Sequence, residues 1–340
     1  MCDSVDTSNL RFMTIINTTV VDQQNLTEIF HYVLKIEIWV LFFSWIEFLY
    51  LFYLFVFIRA MHFNLNFLFM IYGGQYFCSM VARIVILYYQ LGYDNLRAWL
   101  ICANYIRTIA LVIAFNVLPI FMVERCVATF FIKNYEKSIK FYVPLIILAI
   151  FLPFCAFSGL AYIQCWIPLT VYISGIFVVN ITGYMGINRI SDYNIRRHNK
   201  FNDARKKISS YVLSERFQLA ENIKMLEVLK KIQISILFFN VASTSILLMD
   251  HFKIDPIVLY SSYIIYNYLL AVYAITVPIL LHFSLPEWKK ESWRLLQKLR
   301  GKNSVSACPR STFGQQIIFT DTKQETDIYF KQFDSVLNKF

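Results

Sequence analysis

The sequence predicts an all-α membrane protein, a bundle of seven transmembrane helices with a short amphipathic eighth helix, and three observations predict it. Of 340 residues, 58% are apolar and 16% charged, with a mean hydropathy of +0.51; soluble chains run at about 45–50% apolar and about 25% charged. The apolar residues gather into seven stretches, at 36–58, 65–91, 98–123, 141–163, 167–188, 232–250 and 257–282. Most have the roughly 20 residues needed to cross a hydrocarbon layer of ~30 Å. Lys and Arg divide unequally between the two sets of connections, 4 on one side and 26 on the other, with Arg83 and Arg107 inside spans.

Helices are the required form. Leu41 to Phe57 is almost continuously apolar, with Glu47 its one ionised residue, whereas strands of a membrane barrel are shorter and alternate. The basic excess assigns its side to the cytoplasm, so the amino terminus is expected outside and the carboxyl terminus inside, as an odd number of crossings requires. The net charge of +10 is spread in blocks between apolar runs, a pattern that suits a lipid bilayer as partner and not nucleic acid. An odd span count and the lack of a solenoid-length repeat argue against an inverted-repeat transporter.

Residues 1–35 form the expected extracellular segment. They carry no basic start followed by an apolar run, so the first span is expected to act as the anchor. Asn17-Thr18-Thr19 and Asn25-Leu26-Thr27 are glycan acceptor sequons on the outer side, making Asn17 and Asn25 candidate sites. The third match, Asn180-Ile181-Thr182, lies within a span and is expected to stay unmodified.

Ionised groups inside a bilayer cost about 2.5–3.5 kcal/mol each on insertion scales and therefore face protein or water. Glu37, Glu47, Arg83 and Arg107 are such groups. Arg83 and Arg107 fall at similar depth in the outer third, with Glu37 at the outer end of the first span. One reading is a partly cationic pocket for an acidic small molecule. The other is structural pairing of Glu37 or Glu47 with an arginine, or snorkelling toward headgroups. Cys102 and Cys165 both lie on the oxidising side and are candidates for a disulfide, the alternative being two unpaired thiols.

At the inner end of the third span, Glu124-Arg125-Cys126 sets an acid beside an arginine at the membrane boundary, an arrangement able to hold a two-state latch. Seven-helix receptors coupled to G proteins carry a related acid-Arg-aromatic triplet there; Cys126 departs from it. Val212, Leu219, Ile223 and Leu226 share one face of a helix that extends the sixth span into the cytoplasm. The opposite face carries Arg216, Lys224, Lys230 and Lys231, and an outward swing would open a basic cleft for a partner's helix. Pro278 near the end of the seventh span is a candidate kink. It resembles the proline of the receptors' Asn-Pro-x-x-Tyr element, without the Asn or the Tyr.

Residues 283–300 read as an interfacial helix, with Trp288, Leu295, Leu296 and Leu299 toward the membrane and Lys289, Lys290, Lys298 and Arg300 toward anionic headgroups. Residues 301–340 are polar and mixed and are expected to be a disordered cytoplasmic tail.

The stretch Leu213-Ser214-Glu215-Arg216-Phe217-Gln218-Leu219-Ala220-Glu221-Asn222-Ile223, with Glu124-Arg125-Cys126-Val127-Ala128-Thr129 and Asn134-Tyr135-Glu136-Lys137, resembles the nematode serpentine receptor class epsilon (Sre) family of chemoreceptors. The resemblance runs from the first span to the last. It implies a G-protein-coupled-receptor-like fold and a chemosensory receptor in the plasma membrane or cilia of sensory neurons. It further implies a small-molecule ligand and a heterotrimeric G protein as partners, with no cofactor. Two other readings compete. An intramembrane hydrolase would need a metal or paired aspartates, but the five histidines fall at or beyond span ends on opposite sides and no Asp lies in a span interior. A seven-span odorant-gated channel of opposite orientation would put the 26 basic residues outside.

Overall fold

The structure, a computed structural model, describes residues 11, 13–16, 18–58, 60–93, 97–131, 142–204, 213–252 and 254–300, without the side chains of 19, 97, 201–204 and 213–217. All of its regular elements are helical. They are α1 (Thr18–Gln23), α2 (Thr27–Phe57), α3 (Phe63–Gln90), α4 (Arg97–Phe115), α5 (Val117–Phe130), α6 (Tyr142–Ile163), α7 (Leu169–Ala204), α8 (Leu213–Leu247), α9 (Pro256–Ser284) and α10 (Pro286–Leu299). A 3-10 turn, Leu248–His251, ends α8. Seven of these helices are long and apolar enough to cross a membrane. The chain divides into two compact units, Met1–Trp288 and Lys289–Phe340.

The spans pack as a ring closed by α9 against α2, with the third span, α4 and α5, in the middle and packed against α3, α6, α7 and α8. Half of the α4 window is buried, against 28–44% in the other spans. Helix starts follow local chemistry. Asp255 caps α9 by accepting from the Ile257 amide at 2.8 Å, with Pro256 as the first helical residue. The His62 ring accepts from the Asn64 amide at the start of α3.

The helices differ from the hydropathy segments in instructive ways. α2 begins nine residues before the predicted first span, so residues 27–35 of the expected extracellular segment are already helix. α7 and α8 have 36 and 35 residues, about 53 Å each at 1.5 Å per residue, so both outrun the hydrocarbon layer. The third span does not end at residue 123 but runs to Phe130, and it is broken at Asn116. The break has a local cause. Pro119 has no amide hydrogen for the carbonyl four residues earlier, on Phe115. That carbonyl instead accepts from Asn180 Nδ2 of α7 at 2.9 Å.

Close approach at the break is possible because α7 carries glycine there. A Cβ on Gly183 would lie 2.8 Å from the Pro119 nitrogen and 3.0 Å from the Leu118 carbonyl carbon. α9 is assigned as one helix through Pro278, and Pro278 shares a cavity wall with Ala274. That cavity, between α2, α3 and α9, is otherwise lined mainly by aliphatic and aromatic side chains.

Trp288 is fully buried, its ring centroid 4.9 Å from that of Phe55. It is an anchor inside the first unit and not a membrane-facing residue, because an indole packed edge-on against a phenyl ring contributes more than exposure at a helix face. In the second unit, Leu296 and Leu299 of α10 are exposed and Glu291 pairs with Arg294 at 3.4 Å. The expected tail, 301–340, lies outside the described residues.

Candidate functional site

At the end of the bundle where α2 begins and α3 finishes, Glu37 of α2 and Arg83 of α3 form a buried, bidentate ion pair. Arg83 Nε donates to Glu37 Oε1 at 2.6 Å and Nη2 to Oε2 at 2.7 Å, and Nη1 reaches Gln90 Oε1 at 3.4 Å. The structural alternative therefore accounts for these two residues: the planar guanidinium fork matches a carboxylate, and each cancels the other's burial cost. Glu47 is ten residues further along α2, about 15 Å deeper, half-buried, and does not join them.

Arg107 of α4 is 2% exposed and has no carboxylate partner among the described residues. It donates Nη2 to Asn267 Oδ1 of α9. The same Asn267 oxygen is 3.4 Å from Thr14 Oγ1, which brings in a segment that sequence reasoning placed outside. Arg11 donates its amide to the Ile163 carbonyl at 2.8 Å, and its guanidinium sits 5.1 Å from the Tyr162 ring centre. Met13, 1% exposed, donates its amide to Asn104 Oδ1 at 3.0 Å. Thr14 is also buried and has φ +56°, the left-handed region that turns the chain sharply. This amino-terminal strap thus packs between α4, the end of α6 and α9. Its shortness and lack of periodicity gave no sign of what it packs against.

Cys165 lies exposed with a free thiol in the turn after α6, at φ +56°. Cys102 lines an apolar groove facing Phe77, Cys78 and Val81 of α3. The Cys102–Cys165 bridge is therefore not formed, because one side chain faces α3 while the other sits on the α6–α7 turn. Asn25 is exposed at φ +56° between α1 and α2, and the hydroxyl of its sequon Thr27 donates to Asp22. Asn17 lies outside the described residues.

Across the middle of the bundle, Asn180 Nδ2 also donates to Ile176 O at 2.9 Å, while its Oδ1 accepts from Asn240 Nδ2 of α8 at 2.7 Å. Asn188 Oδ1 accepts from Gln233 Nε2 at 3.0 Å one level further in. Tyr72 of α3 and Tyr273 of α9 share a hydroxyl–hydroxyl bond at 2.5 Å.

At the opposite end of the bundle, Arg125 holds both carboxylate oxygens of its neighbour Glu124 through Nε and Nη2. Its remaining Nη1 donates to Asn222 Oδ1 of α8 at 2.9 Å. Asn222 in turn donates Nδ2 to Thr129 Oγ1 at 3.0 Å, and the same hydroxyl accepts from Asn194 of α7 at 2.9 Å. The Thr129 carbonyl accepts from Arg197 at 3.4 Å. All of these groups except Arg197 are fully buried. The third, fifth and sixth spans are thus joined by polar bonds, with Asn194 Oδ1 left without a partner among the described residues.

On α8 the buried stripe runs through Leu219, Asn222, Leu226, Leu229 and Ile232, with Ile223 half-buried. It is rotated toward Asn222 relative to the predicted apolar face, because Asn222 earns burial through Arg125 and Thr129. Lys224 pairs with Glu287 at 3.0 Å, Lys230 with Asp192 at 3.5 Å, and Lys231 is exposed. Val212 and the Arg216 side chain lie outside the described residues. Among the described residues, no group of three or more His, Cys, Asp or Glu is placed to hold a metal ion.

A protein-family model described as "Sre G protein-coupled chemoreceptor" matches residues 2–336. Serpentine receptor class epsilon-8 of Caenorhabditis elegans is 56% identical over 339 residues, covering 98% of this chain and 99% of that one. Two more distant C. elegans relatives are serpentine receptor class epsilon-1, 24% identical over 81% of each chain, and class epsilon-13, 25% identical over 65% of each. No solved structure matches. The channel and hydrolase readings find no support in these relatives. With seven apolar helices, a family match along nearly its whole length and a relative identical at more than half its positions, the chain belongs to the Sre family of G protein-coupled chemoreceptors.

Proposed function

We propose that this chemosensory receptor lies in the plasma membrane of a sensory cell, its cilium included, with the amino terminus outside. A small-molecule cue acts from the outer half of the bundle, and a heterotrimeric G protein is engaged at the inner ends of the third, fifth and sixth spans. Charge asymmetry supports the orientation, and family membership supports the two partners. The single observation that carries the mechanism is the Arg125–Asn222 bond at 2.9 Å. It joins the acid-Arg pair of the third span to the helix whose displacement would expose a cytoplasmic cleft.

A ligand drives such a switch only through a difference in affinity between the closed and open arrangements. The closed arrangement is held by Arg125–Asn222 and Asn222–Thr129, and both must break when α8 moves away from α5. Lys224, Lys230, Lys231 and Arg216 then offer positive charge to the partner along α8. The test is a ligand screen in cells with a promiscuous G-protein reporter, run beside Arg125→Ala. The expected result is a ligand whose response is lost in the variant. An unaltered response would remove the latch role.

A further inference from the structure

The outer polar cluster carries a charge that the receptor reading leaves unused. Among the described residues, three buried or half-buried arginines, Arg11, Arg83 and Arg107, face two carboxylates there. Glu37 is committed to Arg83. Asp250 accepts from Tyr263 at 2.6 Å and lies within the field of Arg11. Arg107, almost wholly buried, is left with a neutral amide oxygen as its partner. A buried cation without a counter-charge is costly in a bilayer.

Of the unpartnered buried atoms in this cluster, Tyr162 Oη can donate or accept, and three others can only donate. Arg107 Nη1, Asn267 Nδ2 and Gln90 Nε2 are each buried without an acceptor among the described residues. All three are donors, so the group that completes them is an acceptor, and the excess charge makes it an anion. Arg107 and Asn267 are fixed to each other across α4 and α9, so their outstanding donors are held by two rigid helices. Above them sits the strap, with Thr14 on the same Asn267 oxygen that Arg107 uses.

We infer that Arg107 and Asn267 form a binding site for the carboxylate of a small organic acid, and that the Met13–Thr14 strap is the lid this acid displaces. The inference rests on the receptor reading for its biological meaning but not for its chemistry. It narrows the cationic set read from the sequence: Arg83 is neutralised, Glu47 is remote, and Arg107 alone carries the free charge. Arg107 Nη1 and Asn267 Nδ2 each donate to the incoming carboxylate, and Thr14 gives up its contact with Asn267 as the acid enters.

The test uses the purified full chain in phosphatidylcholine nanodiscs. Thermal unfolding is followed with sodium acetate, benzoate or octanoate and with acetamide, benzamide or octanamide at the same ionic strength. The expected result is a saturable rise in Tm with at least one carboxylate and none with its amide, lost in Arg107→Gln. Thr14→Ala, which loosens the lid, should saturate at a concentration roughly two- to tenfold lower, the equivalent of one hydrogen bond. No rise with any of the carboxylates, an equal rise with the amides, or a rise retained in Arg107→Gln would overturn the site. If Arg107→Gln fails to fold, Asn267→Ala must weaken the carboxylate effect, and an unchanged midpoint in that variant overturns the site equally. Unchanged saturation in Thr14→Ala would overturn the lid. Carboxylate binding with no G-protein response would sink the receptor reading and leave this site standing. A G-protein response to a neutral cue, with no carboxylate binding, would do the reverse.

Discussion

Arg125 on α5 and Asn222 on α8 are bonded at 2.9 Å in a fully buried setting, 97 residues apart in sequence. Arg125 spends its other two donor positions on Glu124, so Asn222 receives the one guanidinium nitrogen that points away from α5's own acid. A neutral amide in this place links the two helices through one charge-assisted hydrogen bond. Breaking the contact leaves a charged donor to be taken up by water or by a partner, which suits a bond that opens reversibly.

The break in the third span makes a prediction about coupling. Pro119 removes the amide that would serve the Phe115 carbonyl, and Asn180 replaces it. Asn180→Leu should therefore destabilise the bundle by about 1–3 kcal/mol, the cost of a buried acceptor left alone. In a Pro119→Ala background the restored amide can serve that carbonyl, so the same substitution should cost less. A double-mutant cycle on thermal unfolding in nanodiscs measures the difference, and additive losses would refute the account of the break.

Gly183→Ala should be destabilising by about 1–3 kcal/mol. Its Cβ would meet backbone atoms of Leu118 and Pro119 at 2.8–3.0 Å, which cannot swing aside as a side-chain tip can. Gly175→Ala on the same helix, where the space is open, is the control and should leave Tm unchanged.

Much of this was legible in the sequence. Hydropathy located seven spans, and the acid-arginine dipeptide Glu124-Arg125 near the end of the third stood out as a candidate latch. Its partner was harder to see. Asn222 stood within the quoted family motif, but reading Val212, Leu219, Ile223 and Leu226 as the buried face put it off the contact stripe. Only the packing of α8 on α5 rotates it inward. The strap was illegible for a different reason: Met13 and Thr14 are held by Asn104, Asn267 and Tyr266, contacts more than ninety residues away that no local pattern encodes. Pro119, by contrast, was a readable signal of the break at Asn116 that the continuous apolar run concealed.

The Glu37–Arg83 pair predicts an asymmetry between single and double substitutions. Glu37→Gln or Arg83→Gln alone strands one buried charge and should cost about 3–5 kcal/mol in thermal or denaturant unfolding. Glu37→Leu with Arg83→Met removes both charges and should recover most of that loss. A double variant as unstable as the singles would mean that the pair contributes more than mutual neutralisation.

The proposed orientation predicts a glycan on Asn25, which is exposed in the turn before α2. Receptor from eukaryotic cells should shift in mobility on glycosidase treatment. Asn25→Gln should reduce that shift, and Asn180→Gln should leave it unaltered. No shift in the wild type and no surface staining of an amino-terminal tag would reverse the assigned topology.

The most direct measurement of the switch needs no ligand. Nucleotide exchange on a promiscuous G protein should be compared in membranes carrying equal amounts of wild-type receptor and Asn222→Ala. Loss of the bonds to Arg125 and Thr129, each worth about 0.5–1.5 kcal/mol, should raise basal exchange roughly five- to a hundredfold if the closed state predominates. Basal exchange equal to wild type, in a variant that folds and reaches the surface normally, would contradict the claim that this contact holds the cytoplasmic face shut.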